Sequence, residues 1–184
     1  KWPLPPESMN YSPARVGTLR ADIKPLEINQ PEGPGFEVDG YQVSWQKWKF
    51  VIGFNAREGL TLHHLRYQDG EQERSILYRG SLTEMVVPYG DPGPTQRRKN
   101  AFDVGEYGMG MCANSLELGC DCLGLIRYFD AHLCDSRGGP LTIKNAICMH
   151  EEDYGILWKH TDRRLPDNPE VRRSRRLVVS SIST

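Results

Sequence analysis

Residues 41–78 read YQVSWQKWKFVIGFNAREGLTLHHLRYQDGEQERSILY, and their pattern decides the fold class. Tyr41–Trp45 alternates polar and apolar side chains, and Trp48–Phe54 is a run of aromatic and β-branched residues. Both patterns suit a pleated surface packed on one face. Leu60-Thr-Leu62 continues to Tyr67, Asp69-Gly70 has the backbone freedom of a tight hairpin turn, and Ile76–Tyr78 returns.

Toward the C-terminus the signals stay strand-like, at Leu82–Val87, Cys122–Phe129, Leu141–Met149, Gly155–His160 and Leu177–Ile182. Turn chemistry separates them at Tyr89–Pro94, Ser136–Pro140 and Pro166–Pro169. Asn114–Gly119 is a candidate for one short helical turn. No segment sustains a helical apolar stripe over about 12 residues, so the class is mainly β. Toward the N-terminus, residues 1–35 are dense in proline, which predicts a linker or an extended arm. Leu177–Thr184 is strand-like to its last residue, and an unfinished strand leaves an unpaired edge, so the chain is expected to be cut from a longer one. The missing initiator Met points the same way.

Composition narrows the function classes. With 38% hydrophobic and 26% charged residues the chain has an ordinary soluble balance. No apolar run approaches the roughly 18 residues that span a bilayer, and the first residues have no signal-peptide core. The reading is a soluble protein away from membranes, with cytoplasm, periplasm and exterior all open. A net charge of −1 gives no global attraction to nucleic acid. The basic run Arg172–Arg176 has no interleaved aromatics and reads as a solvated or salt-bridged strand entrance. Five cysteines without a CxxC pair argue against a zinc ribbon and leave at least one free thiol.

Chemistry-bearing residues are few. His63 and His64 are adjacent, so on a strand they point to opposite faces, and no HxH or HxxxH occurs. His150-Glu-Glu-Asp153 offers imidazole and carboxylates, yet reads equally as an acidic turn after a strand. Asp103, between Phe102 and Val104, is placed for partial burial, the setting of a general base, but also precedes a turn glycine at Gly105. Tyr89, between Pro88 and Gly90, is either a packed aromatic or a phenol aimed into a site. There is no GxSxG, P-loop or GxGxxG. The residues alone reach a soluble β-rich domain and go no further.

Longer stretches carry a resemblance. Gly53–His63, Glu84–Pro92, Asn100–Tyr107, Ala113–Gly124, Asn145–His160 and Arg172–Val179 resemble, in order, the copper-containing, topaquinone-dependent amine oxidases. The resemblance implies a large antiparallel β-sandwich (a supersandwich) in a homodimer. Residues 1–30 would be the end of a preceding small domain and its connecting arm, and 31–184 the first part of the catalytic domain. It implies oxidative deamination of primary amines by dioxygen to aldehyde, ammonia and hydrogen peroxide, with copper and topaquinone as cofactors. The cofactor tyrosine, in an Asn-Tyr-Asp/Glu-Tyr motif, and the copper histidines would lie beyond Thr184. No histidine of this chain matches them, so no metal ligand is assigned here. Asp103 matches the family's proton-accepting base, and Tyr89 the tyrosine that hydrogen-bonds the quinone. Ala101, beside Phe102, stands where relatives often carry an aromatic gate of the substrate channel, and Gly108–Met111 is slim for that neighbourhood. Cys122 and Cys148 match the family's intradomain disulfide, which would leave Cys112, Cys120 and Cys134 as thiols. Against this stands a β-sandwich binding or structural module that keeps the scaffold without the chemistry.

Overall fold

A computed structural model describes residues 13–18, 20–165 and 169–184, so the first twelve residues of the arm and most of the Pro166–Pro169 turn lie outside the described residues. The described part of the arm starts with one turn of helix, α1 (Pro13–Val16). Five strands then form a meander: β1 (Phe36–Asp39), β2 (Gln42–Trp45), β3 (Trp48–Asn55), β4 (Gly59–Asp69) and β5 (Gln72–Ser81). Each pairs antiparallel with the next. Two-residue connections force left-handed φ at Gly40 (59°), Gln46 (52°) and Gly70 (60°), the geometry that matches strand twist. The Asp69-Gly70 turn expected from the sequence closes the β4–β5 hairpin, with Asp69 paired to Gln72.

A short two-stranded ladder follows, β6 (Val86–Pro88) with β7 (Asn100–Phe102), and leads straight into a second single turn, α2 (Asp103–Glu106). The remaining strands, β8 (Arg127–Cys134), β9 (Pro140–His160) and β10 (Glu170–Ser180), make a sheet of order β10-β9-β8. Its pairs are antiparallel as well, so the chain is mainly β as the pattern implied.

The two larger sheets pack face to face. Phe36, Val43, Phe50 and Ile52 from the first bury against Phe129, Ile147 and Met149 of the second. Leu62, Leu65, Leu177 and Val179 close the edges of that layer. At about 1.5–3 kcal/mol for each large apolar side chain buried, this layer is the main source of stability. Residues 146–151 are buried without a break. Ile147 and Met149 face the sandwich, while Cys148 faces a second cluster with Leu116 and Cys122.

Four expectations are corrected. Asn114–Gly119 is not a helical turn: its first residues run extended, the Leu116 amide donating to Asn145 O (3.1 Å) and the Asn114 amide to Ile182 O (2.7 Å), with Leu116 fully buried, and the chain turns only from Glu117. Leu141–Met149 and Gly155–His160 are one continuous strand, β9, so His150–Asp153 lies inside a strand and is no turn. That charged stretch stays in the sheet because the buried Glu151 carboxylate finds four partners. It accepts from Gln30 Nε2 (2.7 Å), the Gly35 amide (2.6 Å) and Trp45 Nε1 (2.9 Å), and faces Arg175 at 3.8 Å. Burial would raise the Glu151 pKa, but those hydrogen bonds, with Arg175, outweigh it and hold the carboxyl below its usual value. The β8 strand starts only at Arg127, since residues 117–122 are wound into a turn. Finally, β10 ends at Ser180, and Ser183 bridges Ala113. The basic run lies within β10 and is salt-bridged as read, Arg173 to Asp153 (2.6 Å) and Arg172 to Glu170 (3.3 Å).

Candidate active site

The β6–β7 ladder sets the distance between the sequence-derived candidates. Val86 is opposite Phe102 at one end, and Pro88 opposite Asn100 at the other. Asp103 follows Phe102 and Tyr89 follows Pro88, so the two functional candidates leave opposite ends of the same ladder. The Asp103 amide donates to Met85 O (3.1 Å), which carries the ladder one residue further.

What fixes Asp103 is a carboxylate the sequence reading passed over. Glu84 Oε1 accepts from the amides of Met85 (3.0 Å), Val104 (3.1 Å) and Gly105 (3.3 Å), closing the first turn of α2 around Asp103. Its other oxygen pairs with Arg57 (3.4 Å), which also donates to Thr83 O (2.9 Å). A Cβ at Gly105 would sit 3.0 Å from Glu84 Oε2, close enough to press on this carboxylate. The sequence held no local signal for this contact, since Glu84 and its amide partners in α2 are 20 and 21 residues apart.

The slim Gly108–Met111 segment has a packing reason. The Met109 and Met111 amides donate to Arg57 O (2.8 Å) and Ala56 O (3.0 Å). A side chain at Gly110 would collide with the Asn55 carbonyl, so only glycine lets these backbones meet. Behind that turn, Glu58 accepts from Ser81 (2.7 Å) and binds Arg79, and the Arg79 bond first, then Ser81, pulls its pKa down to about 2.

These supports leave a cavity of about 400 Å³ beside α2. Its wall includes Met85, Asp103, Tyr107, Met109, Cys112 and Thr184. Asp103 is half-buried there, in a wall it shares with Met85, Met109 and Tyr107. Such a setting lets a carboxylate meet an apolar C–H without full competition from water. Tyr89 is outside that wall: it is 59% exposed, with Lys99 Nζ 4.9 Å from its ring centre. Ala101 is half-buried and Phe102 exposed, both next to the cavity in sequence but not part of its lining.

The histidines have local partners. His63 meets Thr61 Oγ1 (3.0 Å), His132 meets Thr142 Oγ1 (3.2 Å) and His150 meets Glu152 (2.9 Å). His64 packs edge-on to Tyr78, and His160 stacks on Trp158. Among the described residues the one cluster with metal-ligand spacing is Cys122, Cys148 and His150, and its two sulfurs are joined to each other as a disulfide. Cys112, Cys120 and Cys134 are free. No described helix is long and apolar enough to cross a membrane.

The description "Copper amine oxidase, enzyme domain" matches residues 37–184. A primary amine oxidase of Arthrobacter sp. (strain P1) is 58% identical over 99% of this chain and 28% of its own length. A copper-containing diamine oxidase of Nicotiana tabacum, described as peroxisomal, is 54% identical over 99% of the chain and 24% of its own. The crystal structure of a copper-containing benzylamine oxidase from Hansenula polymorpha superposes with a TM-score of 0.84 at 45% identity, covering 95% of this chain and 27% of that one. The chain thus spans about a quarter of the length of the relatives it matches. It belongs to the copper amine oxidase family, as a part of the enzyme domain.

Proposed function

We propose that the protein containing this chain oxidises a primary amine with dioxygen, releasing aldehyde, ammonia and hydrogen peroxide, and that Asp103 is its proton acceptor. The observation that carries the reading is the half-buried Asp103 carboxylate in the wall of a cavity, locked on a turn that Glu84 closes. Copper and topaquinone are the family's cofactors, but the described residues do not fit a copper centre. Their histidines are engaged singly, and the one clustered pair of sulfurs is a disulfide. The metal ligands and the cofactor tyrosine are assigned to other parts of the polypeptide, with residues 1–30 as the arm from a preceding domain and 31–184 as part of the catalytic one.

Within that reading, this chain holds the substrate carbon and takes its proton. The quinone supplies the electron sink when present. An Asp103 Oδ accepts the proton from the carbon bearing the amine, while Met85 and Met109 keep the approach apolar. Tyr89 is proposed to hydrogen-bond a cofactor oxygen through its hydroxyl, and Ala101 and Phe102 to border the substrate path. A homodimer is proposed as well. The outer parts of β9 and β10 support it by leaving Tyr154, Ile156, Trp158 and Val171 exposed, apolar area that a second copy would cover. Sedimentation of the full-length protein checks that assembly.

The test of the base is Asp103→Asn in the full-length, cofactor-loaded enzyme. Asparagine is nearly isosteric, so folding and copper content should not change. The rate of cofactor reduction by a primary amine should fall by about 10²–10⁴. Reduction at the wild-type rate would remove Asp103 from the mechanism.

A further inference from the structure

A second cavity, about 560 Å³, opens on the other face of β9, away from Asp103. Its wall brings together Cys120, Cys122, His150 and Glu152, none of which the proposed deamination uses. Cys148, His150 and Glu152 alternate along β9 and so share one face. Cys148 is bonded to Cys122, and one ring nitrogen of His150 lies within 4.8 Å of both sulfurs. His150 is 5% exposed, and its Nε2 is held by the Glu152 carboxylate at 2.9 Å. Its Nδ1 is buried with no hydrogen-bond partner among the described residues. A histidine whose Nε2–H is held by a carboxylate keeps a lone pair on Nδ1, the arrangement that activates a thiol in cysteine hydrolases.

The third sulfur stands beside this pair. Cys120 is free and exposed, and lines the same cavity two residues from Cys122. A tight turn carries both: the Cys120 and Asp121 amides donate to Glu117 O (3.2 and 3.0 Å), and the Gly119 amide to Cys122 O (2.8 Å). An exposed thiol, a disulfide and a buried imidazole with one free ring nitrogen, together at one cavity, are the parts of an exchange reaction.

We propose that Cys120, Cys122, Cys148 and His150 form an internal thiol–disulfide exchange site, with small thiols and disulfides such as glutathione as the ligands that read it. The Cys120 thiol gives its proton to His150, and its sulfur electron pair forms a new bond to Cys148 Sγ. The Cys122–Cys148 bond breaks, its electron pair stays on Cys122 Sγ, and that thiolate takes the proton from His150. One disulfide and one thiol are present before and after, so no external oxidant or reductant is consumed. Attack on Cys148 is chosen because joining Cys120 to Cys122 would close a ring across a single residue. The exchange moves the free thiol from an exposed position to Cys122, which is 5% exposed, and so hides it from solution.

The experiment uses the full-length enzyme in a buffer of reduced and oxidised glutathione. The sample is quenched in acid, alkylated and mapped without reduction, with fragmentation between Cys120 and Cys122. The expected result is a Cys120–Cys148 linked peptide with alkylated Cys122, beside the original isomer. In Glu152→Gln, which loses the carboxylate behind His150, that peptide should form about tenfold more slowly. Cys120→Ser supplies the control, because its exposed position tolerates the change and the new linkage must vanish. Finding Cys122–Cys148 alone, with Cys120 fully alkylated, overturns the exchange. An unchanged rate in Glu152→Gln overturns the role of His150.

Discussion

Two carboxylates do the same job in different places. Glu151 gathers the arm, the start of β1 and β2 onto β9, and Glu84 gathers α2 and the Arg57 turn onto the β6–β7 ladder. Each spends both oxygens on chain segments far away in sequence. Glu151 is 4% exposed and lies against the apolar layer between the sheets, whereas the Glu84 side chain is 30% exposed. Around Glu84 stand exposed apolar residues, Val86, Val87, Phe102 and Tyr107. In the first place burial supplies stability and the carboxylate settles the polar remainder. In the second there is little burial, and the carboxylate supplies alignment. Damage to the first should show as unfolding, and damage to the second as lost rate in a folded protein.

Glu151→Ala tests the first half and should have the largest effect on stability. It strands the Trp45 indole N–H and the Gly35 amide in a buried place and leaves Arg175 without its partner. Breaking a buried, hydrogen-bonded charge in this way costs about 3 kcal/mol. Denaturant unfolding of the full-length enzyme should show a lower midpoint at unchanged slope. A loss under about 1 kcal/mol would mean that water replaces the carboxylate, and the contrast with Glu84 would collapse.

Glu84→Ala tests the other half. Gly105 is exposed, so water can take the place of the carboxylate at its amide, and although Val104 is buried stability should fall by only about 1 kcal/mol. The turn that carries Asp103 would lose its closure, and misplacing a reacting group by about 1 Å can cost 10²-fold. A fall in kcat of about tenfold or more, with KM near wild type, is expected. Glu84→Gln keeps one oxygen acceptor for the amides and should restore most of it. Equal rates in Ala and wild type would show that α2 holds Asp103 without Glu84.

The same contrast explains what was legible. The β2–β5 meander could be read because period-two alternation and a glycine turn are local signals, and the apolar face they predict is the one that packs. The continuity of β9 could not, since His150–Asp153 looks like an acidic break until Gln30, Gly35 and Trp45 are known to converge on Glu151. Asp103 was found through the resemblance of Phe102–Tyr107 to a family pattern, because nothing local separates it from a turn aspartate. Glu84 carried no local signal at all, its partners being set by the fold. The free β6–β7 ends put Tyr89 and Asp103 apart, which no spacing rule would have given.

The smallest expected effect is a difference in acid sensitivity, and its sign follows from Glu151. Its folded pKa is held below the usual carboxylate value, so the unfolded chain binds the proton more readily. The stabilisation is therefore fully present above the unfolded pKa of about 4.3, and is lost as pH falls from there through the folded value. Glu58, pulled to about 2, and Asp153, lowered by Arg173, lose stabilisation in the same direction, so the wild-type slope is a sum. Glu151→Gln cannot take up that proton. It should start less stable near neutrality and then lose less between about pH 5 and pH 3, so the two curves converge on acidification. Urea midpoints measured across that window would show it. Parallel curves would assign the acid loss to other ion pairs such as Glu58–Arg79, leaving the buried seam around Glu151 indifferent to pH.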